Sequence, residues 1–551
     1  MGNTTEAASA YRYPLLIKQI LLTPLANAPH QEIVSSDVRR YNYRAFYQRI
    51  EALASSLSSL GVAMGDTVAV MDWDGHRYLE CFFAVPMMGA ILHTVNIRLS
   101  PQQILYTINH AEDDVILVHT DFVPIIEQIS ERFERPIKLV LLDDGAEAPK
   151  LPSGYVAEYE SLLNTSDSGF DDKFDFGDFD EHTIATTFYT TGTTGDPKGV
   201  AYSHRQLVLH TLGLIAAFST ASGNNRFHKE DVYMPMTPMF HVHGWGMPYA
   251  ATMMGVKQVY PGRYDSAKLL RLIESEQVTF SHCVPTILQM LLSAAQARNT
   301  DLSRLKIIIG GAALSEGLGK TALDFGIEVF AAYGLSETCP VITTADLPAS
   351  VCERGSNEDL ARRRKPGKPC ALVEVRVVDQ DMNDIPRDGK TSGEIVVRAP
   401  WLTQTYTKSP EATQALWHGG YLHTGDVGRF DETGSLLITD RIKDVIKSGG
   451  EWLSSLDLEN IVSRCQGVRE VAAIGIPDER WGERPMLIVA QVADAKSNIT
   501  AEQIREAIRV HVDSGELPKW TLPERVEFVD QLDKTSVGKL DKKVLRARYA
   551  Q

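Results

Sequence analysis

The sequence has few cysteines, no surplus of basic charge and no long apolar run. Its six cysteines contain no CxxC pair, so we expect free thiols and a cytoplasmic protein. The net charge of −16 argues against a protein that binds nucleic acids or anionic membranes. The uncharged run 81–97 contains Pro86, His93 and Asn96 and is too short to span a membrane. The chain begins without a basic region ahead of an apolar one, so we expect no secretory signal.

The length and the hydrophobic pattern predict an α/β fold with more than one domain. A chain of 551 residues is too long for a single core. Apolar strands alternate with helical segments as far as about residue 309, which indicates parallel βαβ units. Short strands and turns between 365 and 397 predict a small β-rich subdomain, and a compact α+β unit follows Asp440. We therefore divide the chain into a large N-terminal domain, 1–440, of layered α/β subdomains plus the β-rich subdomain, and a small C-terminal α+β domain, 441–551.

Several helices can be bounded from apolar periodicity and from breaking residues. They are predicted at 13–22, 43–60, 204–218, 456–465, 501–513 and 541–549.

The segment Phe188–Val200 has the composition of an anion-binding loop. Its core, 190–199, holds four threonines, three glycines and Lys198. Glycine lets backbone N–H groups approach a ligand, while threonine hydroxyls and a lysine suit phosphate oxygens. The kinase-type phosphate loop GxxxxGK[ST] does not fit, because the fifth residue after Gly192 is Pro197. Taken alone, the segment could also be a surface hairpin.

The segment Pro238–Gly246 holds two histidines, two aromatic residues and two glycines in nine positions, a pattern of neither a helix nor a regular strand. Taken alone, it could be a packed loop. The later segment 331–338 carries two informative residues. Tyr333 offers a flat apolar face to a purine, and Glu337 stands among small neutral residues, where a carboxylate is costly unless it is solvated, paired or bound to a metal.

These motifs, in this order, resemble those of the adenylate-forming superfamily of acyl-CoA synthetases, luciferases and peptide-synthetase adenylation domains. The resemblance covers about residues 15–549. The residues around Phe240 and Lys447 are most similar to medium- and long-chain fatty acyl-CoA synthetases and to the related methylthio-propionate CoA ligase. Two positions depart from the family pattern: His243 stands where close relatives have Asn, and Asp533 stands where the family often has Pro.

The resemblance implies three overlapping sets of site residues. The ATP and AMP site would comprise Thr190, Thr191, Gly192, Thr193, Thr194, Lys198, Gly311, Ala312, Ala313, Ala332, Tyr333, Gly334, Ser336, Thr338, Asp426, Arg441, Lys443, Lys447, Trp452 and Lys539. The acyl-substrate site would comprise His241, Val242, His243, Trp245, Gly246, Val284, Tyr333 and Gly334. The catalytic groups would be Lys539, His241, Glu337 and Lys198, with Mg²⁺ held by Glu337 and Thr193.

The implied reaction has two steps, with ATP, Mg²⁺, coenzyme A and a small carboxylic acid as partners. The acid first attacks ATP to give an acyl-adenylate and pyrophosphate, and the thiol of coenzyme A then displaces AMP. The C-terminal domain would rotate about Lys443 between the steps. Amino-acid-activating relatives usually have Asp at the position of His241, so we expect an acid without an α-amine, such as a medium-chain fatty acid or a short thioether acid. The family also implies a homodimer. The alternatives are an aryl-propenoate ligase, an enzyme that loads a carrier protein, and a non-catalytic sensor of acyl-adenylate or AMP.

Overall fold

The computed structural model describes the whole chain apart from short segments. Those segments are 1–6, 146–149, 166–173, 191–195, 222, 224, 349–351, 449–450, 493–498, 516, 535–539 and 551. Four β-sheets organise the described residues, with helices packed against them. The predicted α/β class is confirmed.

The first sheet has seven strands. In spatial order they are Tyr155–Glu158, Lys138–Leu142, Val115–His119, Thr67–Met71, Ile91–Thr94, Ile184–Thr190 and Lys198–Ser203. All neighbours are parallel except the last two, which are antiparallel and are joined by the loop rich in glycine and threonine. The strands Thr67–Met71 and Val115–His119 are buried at every residue, as expected where helices cover both faces of a parallel sheet.

The second sheet has nine strands and a parallel centre. In spatial order they are Lys368–Pro369, Val341–Thr344, Glu328–Gly334, Lys306–Ile309, Phe280–Cys283, Val232–Pro235, Lys257–Tyr260, Glu32–Ser35 and Arg39–Asn42. The six strands from Glu328–Gly334 to Glu32–Ser35 pair in parallel. Ligands bind beyond the carboxyl ends of such strands, which makes that edge the first place to look for a site.

Two five-stranded sheets follow along the chain. The third sheet consists of Glu374–Val378, Gly393–Arg398, Trp417–His418, Tyr421–Phe430 and Leu436–Arg441. The fourth consists of Ile446–Ser448, Glu451–Leu453, Val468–Asp478, Gly482–Gln491 and Arg525–Val529. The third sheet extends the β-rich region that was expected between 365 and 397. The domain boundary at 440 stays a prediction.

The helices begin and end close to the predicted residues, with one exception. The α-helices are Leu22–Asn27, Tyr43–Ser59, His76–Met87, Pro101–Ala111, Val123–Ile129, Tyr159–Thr165, His204–Ser219, Met247–Met254, Ser266–Glu276, Pro285–Arg298, Glu316–Asp324, Asn357–Arg364, Pro410–Leu416, Ser455–Ser463, Ala501–Asp513 and Lys542–Tyr549. The 3₁₀ turns are Ile17–Leu21, Thr120–Phe122, Ser130–Arg132, Ser336–Thr338 and Lys519–Thr521. The prediction of a helix at 13–22 is wrong, because regular structure begins only at Ile17 and the α-helix only at Leu22.

All six cysteines are free thiols, as expected. Within the described ranges, no helix has both the length and the apolar composition needed to cross a membrane.

Candidate active site

Tyr333, Asp426 and Arg441 meet beyond the carboxyl end of the nine-stranded sheet. Tyr333 lies next to the end of the strand Glu328–Gly334, and its hydroxyl donates a hydrogen bond to Asp426 Oδ2 at 2.7 Å. Arg441 lies opposite Asp426 in the third sheet, with its Nε 3.3 Å from Asp426 Oδ1. Burial raises the pKa of Tyr333, so its hydroxyl remains a donor at neutral pH. Three predicted nucleotide residues, far apart in sequence, are therefore neighbours.

A second cluster surrounds Glu337, on the 3₁₀ turn Ser336–Thr338. The hydroxyl of Tyr406 donates to Glu337 Oε1 at 2.7 Å, and Lys198 Nζ lies 4.7 Å from the centre of the Tyr406 ring. Tyr202, on the strand that Lys198 begins, donates to the Ser336 carbonyl at 2.6 Å. The sequence analysis missed Tyr406, since it lies in an irregular segment 69 residues after Glu337 and carries no motif of its own.

Other predicted nucleotide residues have structural tasks of their own. The hydroxyl of Thr338 is buried and accepts a hydrogen bond from Leu335 N at 2.8 Å, so it shapes the turn. At Gly334 a Cβ atom would lie 1.8 Å from the Pro340 carbonyl oxygen, which explains the glycine without a ligand. Gly311 has a positive φ of 75° and is followed by two exposed alanines, Ala312 and Ala313.

The segment after His241 is a left-handed turn. Val242, His243, Gly244, Trp245 and Gly246 have positive φ values of 48°, 55°, 56°, 60° and 73°. A left-handed conformation costs an L-residue roughly 1–2 kcal/mol, and three of these five residues are not glycine. Strain of this kind persists only where surrounding structure enforces it, and it is common at functional sites. The segment is therefore neither a helix nor a regular strand, as the sequence indicated, and it forms a strained left-handed turn.

His241 and Trp245 stand at the two ends of this turn. His241 is half-buried at its start. The Trp245 ring lies 5.1 Å from that of His282, and a Cβ atom at Gly310 would lie 2.9 Å from Trp245, so a larger residue there would clash. Val284 follows the strand Phe280–Cys283 and belongs to the same apolar cluster as Trp245.

His243 is fully buried behind the turn. Its ring lies between 5.3 and 6.2 Å from the rings of Phe82, Phe188, Tyr202 and Tyr249. Both ring nitrogens lack a hydrogen-bond partner among the residues that the structure describes. Burial lowers the pKa of His243 to about 3, so the ring is neutral at physiological pH. His243 therefore supports the turn by packing its neutral ring among these four aromatic side chains.

Some of the remaining predicted residues are outside the described part of the chain. Thr191, Gly192, Thr193, Thr194 and Lys539 lie outside the described residues, as does the side chain of Trp452. Thr190 ends its strand, and Ala332 is buried in the strand before Tyr333. Lys443 lies in the turn after Arg441, and Lys447 is exposed on the strand Ile446–Ser448. In the described ranges, no group of three or more His, Cys, Asp and Glu side chains could hold a metal ion.

Comparison with known proteins assigns the family. A family model described as AMP-binding enzyme matches residues 23–407, and a second, described as AMP-binding enzyme C-terminal domain, matches residues 457–539. The chain belongs to the AMP-binding enzyme family. The predicted enzyme class, an AMP-forming acid–CoA ligase, is confirmed by this membership and by relatives of that class.

Two relatives and one solved structure illustrate the similarity within the AMP-binding enzymes. A long-chain-fatty-acid–CoA ligase of Thermus thermophilus is 39% identical, covering 94% of this chain and 93% of the relative. A 3-methylmercaptopropionyl-CoA ligase of Ruegeria pomeroyi is 36% identical, covering 93% and 92%. The crystal structure of an anthranilate CoA ligase with anthranoyl-AMP has a TM-score of 0.83 at 22% identity and covers 98% of this chain and 99% of that one, which supports the fold.

Proposed function

We propose that this chain activates a medium-chain fatty acid or a short thioether acid with ATP and transfers the acyl group to coenzyme A. The observation that carries the proposal is the convergence of two clusters, Tyr333–Asp426–Arg441 and Glu337–Tyr406–Lys198, at the two ends of the short segment 333–337. The first cluster suits a nucleoside, and the second suits phosphates.

The nucleoside would bind at the first cluster. The face of the Tyr333 ring offers an apolar surface for adenine. Asp426 is nine-tenths buried or more, and its two carboxylate oxygens can accept hydrogen bonds from both ribose hydroxyls. The Tyr333 hydroxyl already orients this carboxylate at 2.7 Å, and Arg441 compensates its charge. Gly311, Ala312 and Ala313 would form one wall of the adenine slot.

The phosphates and Mg²⁺ would bind at the second cluster. Mg²⁺ prefers oxygen ligands and keeps several waters, so one or two protein carboxylates beside phosphate oxygens suffice. Glu337 fits this requirement, because its carboxylate is half-buried and is oriented by Tyr406. When bound, Mg²⁺ would offset the negative charge of the phosphates. Lys198, Lys539 and the loop 190–194 would supply the other positive and hydrogen-bonding groups, and Thr193 a further oxygen for the metal.

The carboxylic acid would bind beside the left-handed turn. His241 stands at the start of the turn and cannot pair with an α-ammonium group, which favours an acid without one. Trp245, at the other end, would limit the length of the acyl chain together with Val284 and the small residue Gly310. The similarity to fatty-acid and 3-methylmercaptopropionate ligases supports the same substrate classes.

Thioester formation would require Lys539, which serves the adenylation step, to move out of the active site. Lys539 would approach the phosphate in the first step and obstruct the thiol of coenzyme A in the second. A rotation of residues 441–551 about Lys443 resolves this conflict, and hinges of this kind are short segments that absorb a backbone change. We further propose that the protein is a cytoplasmic homodimer, which light scattering and fractionation would test.

Release of AMP and pyrophosphate tests the proposal directly. The chain is assayed with ATP and Mg²⁺ across acids from acetate to palmitate, with cinnamate and methylthio-propionate, in the presence and absence of coenzyme A. We expect AMP turnover that requires coenzyme A and peaks at medium-chain or thioether acids. A peak at cinnamate would replace the substrate class, pyrophosphate release independent of coenzyme A would indicate a carrier-protein acceptor, and no turnover with any acid would contradict the proposal.

The half-reactions provide the internal control. Lys539→Ala should abolish adenylation but spare thioester formation from supplied acyl-adenylate, whereas Lys543→Ala, an exposed lysine nearby, should change neither. Equal loss of both half-reactions in Lys539→Ala would contradict the rotation.

A further inference from the structure

The entrance to the left-handed turn is held by a buried carboxylate from another sheet. Asp74, in the loop after the strand Thr67–Met71, accepts a hydrogen bond from the Met239 backbone N–H at 2.8 Å. Its second carboxylate oxygen accepts from the hydroxyl of Tyr264, and its backbone carbonyl accepts from Gly262 N at 2.8 Å. Asp74 is 4% exposed. One carboxylate therefore connects three loops next to the turn.

Phe240, the residue after Met239, is held by the last residue of a neighbouring strand. Thr94, at the end of the strand Ile91–Thr94, donates from its hydroxyl to the Phe240 carbonyl at 3.0 Å. The guanidinium of Arg98 lies 5.9 Å from the centre of the Phe240 ring. Met239 and Phe240 are thus fixed by hydrogen bonds immediately before His241, where the chain enters five consecutive positive φ values.

We propose that Asp74, together with Tyr264 and Thr94, forms a clamp that positions His241 and Trp245 for the carboxylic acid. These three are positioning residues, since none of them is placed against the substrate. The inference rests on the proposed function, which assigns the acid to the left-handed turn.

The clamp explains how the strained turn persists. Val242, His243 and Trp245 are L-residues in a conformation that they disfavour, so the turn would relax unless its ends were fixed. Hydrogen bonds to a buried carboxylate are stronger than those between neutral groups, and Met239 N–H and Tyr264 O–H each make one. A small shift of Met239 would be passed directly to His241, two residues later, and misplacement of a reacting group is costly.

The substitution Tyr264→Phe tests the clamp with little change in volume. It removes one hydrogen bond to Asp74 and leaves the carboxylate in place. We expect the KM for the acid to rise about 10-fold, as for the loss of one hydrogen bond to a charged group, while the KM for ATP stays unchanged. Thr94→Val should have a smaller effect in the same direction. The matched control is Tyr159→Phe, which removes a 2.7 Å hydrogen bond to the buried Glu80 away from the turn and should leave both KM values unchanged.

Hydrogen exchange gives a readout that does not depend on activity. In Tyr264→Phe the amides of 238–247 should exchange faster than in the unsubstituted chain, and in Tyr159→Phe they should not. Equal rises in the KM for the acid and for ATP, or unchanged exchange of 238–247, would overturn the clamp. If the unsubstituted chain turned over no acid, the proposed function would fail, and exchange alone would then decide: faster exchange of 238–247 supports the clamp and unchanged exchange refutes it. Should Tyr264→Phe fail to fold, Thr94→Val is judged by the same measurements.

Discussion

The carboxylate of Glu337, the proposed Mg²⁺ ligand, is oriented by one neighbouring side chain. Its Oε1 atom accepts a hydrogen bond from Tyr406, whose ring in turn lies 4.7 Å below Lys198. Burial raises the pKa of Tyr406, which keeps its hydroxyl protonated and able to donate. The tyrosine therefore fixes one oxygen of Glu337 and with it the orientation of the carboxylate.

Tyr406→Phe should weaken the response of the enzyme to Mg²⁺. Loss of a residue that orients a metal-binding carboxylate typically lowers metal affinity by about 10-fold or more, so we expect the half-saturating Mg²⁺ concentration to rise by about that factor. The measurement is AMP release against Mg²⁺ at fixed ATP. Tyr421→Phe removes an equivalent 2.7 Å hydrogen bond to Glu374 in the third sheet and serves as the control. An unchanged Mg²⁺ curve in Tyr406→Phe would count against Glu337 as the metal residue.

The raised pKa of Asp74 predicts that binding of the carboxylic-acid substrate depends on pH. Burial raises the pKa of Asp74 to about 7, against the opposing effects of Met239 N–H, Tyr264 and Arg98. The ionisable or charged groups that also face it are Asp72, Tyr78, Tyr233 and Tyr260. Below pH 7 the carboxyl becomes neutral and accepts weaker hydrogen bonds from Met239 N–H and Tyr264, so the KM for the acid should rise between pH 7.5 and 6, a range of about 1.5 units around that pKa. Steady-state kinetics at each pH give the profile, and Asp74→Asn should flatten it.

The helices and strands were largely predictable because their signals are local. The helix His204–Ser219 is capped by Ser203, which forms a reciprocal capping pair with Gln206, and that pattern is visible in the sequence. The prediction of a first helix at 13–22 was wrong because contacts distant in sequence determine the structure there. Leu15 N bonds to Glu181 Oε2 at 2.8 Å and Ile17 N to His204 Nδ1 at 3.1 Å, so contacts across more than 160 residues override local periodicity.

The site shows the same limit. A resemblance could nominate Tyr333, Asp426 and Glu337, because each lies in a recognisable motif. It could not nominate Tyr406, Asp74 or Tyr264, which act through hydrogen bonds to residues 69 or more positions away. Nor could it indicate that the turn after His241 is left-handed, since residues distant in sequence hold that strained backbone in place.

Four buried histidines predict that the stability of the fold decreases in acid. Burial lowers the pKa of His204, His210, His243 and His282 to about 3 each, from an ordinary value of 6.5. Below pH 6.5 the unfolded chain gains protons on these residues that the folded chain does not hold, so stability falls as the pH decreases towards 3. Each histidine contributes up to about 1.4 kcal/mol per pH unit in that range.

His204→Asn separates one histidine from the rest. An Asn side-chain oxygen can accept from Ile17 N as His204 Nδ1 does, and it does not titrate. We expect the decrease in Tm between pH 7 and pH 5 to be smaller in His204→Asn than in the unsubstituted chain. His182→Asn, an exposed histidine close in sequence, should leave that decrease unchanged. Parallel Tm curves for His204→Asn and the unsubstituted chain would contradict the assignment of His204 as buried and neutral.

At the scale of the whole molecule, an ion cluster around Glu316 connects the two proposed domains. Glu316 begins the helix Glu316–Asp324, three residues after the predicted adenine wall. Its Oε2 atom lies 3.2 Å from Arg364 Nη1 and 2.8 Å from Arg464 Nη2 in the helix-ending turn beyond the boundary at 440. Arg364 also donates to Asn460 Oδ1 at 2.9 Å. These contacts belong to one arrangement of the domains and would break in the proposed rotation.

The strength of the ion cluster limits how far it can shift the equilibrium between the two domain arrangements. Glu316 and Arg464 are partly exposed, and ion pairs of that kind contribute about 0–1 kcal/mol, which is at most about a fivefold change in an equilibrium. Arg464→Gln should therefore slow the half-reaction that this arrangement serves and speed the other, each by less than about fivefold, and it should remove part of the salt dependence of both rates.

The measurement follows adenylation by pyrophosphate release and thioester formation from supplied acyl-adenylate, each at low and high salt. Arg509→Gln, which removes an ion pair within one helix of the C-terminal part, is the control and should change neither rate. A rotation model requires opposite changes in Arg464→Gln, because one equilibrium feeds both steps. If both half-reactions slowed together, the cluster would be stabilising the site rather than biasing a rotation.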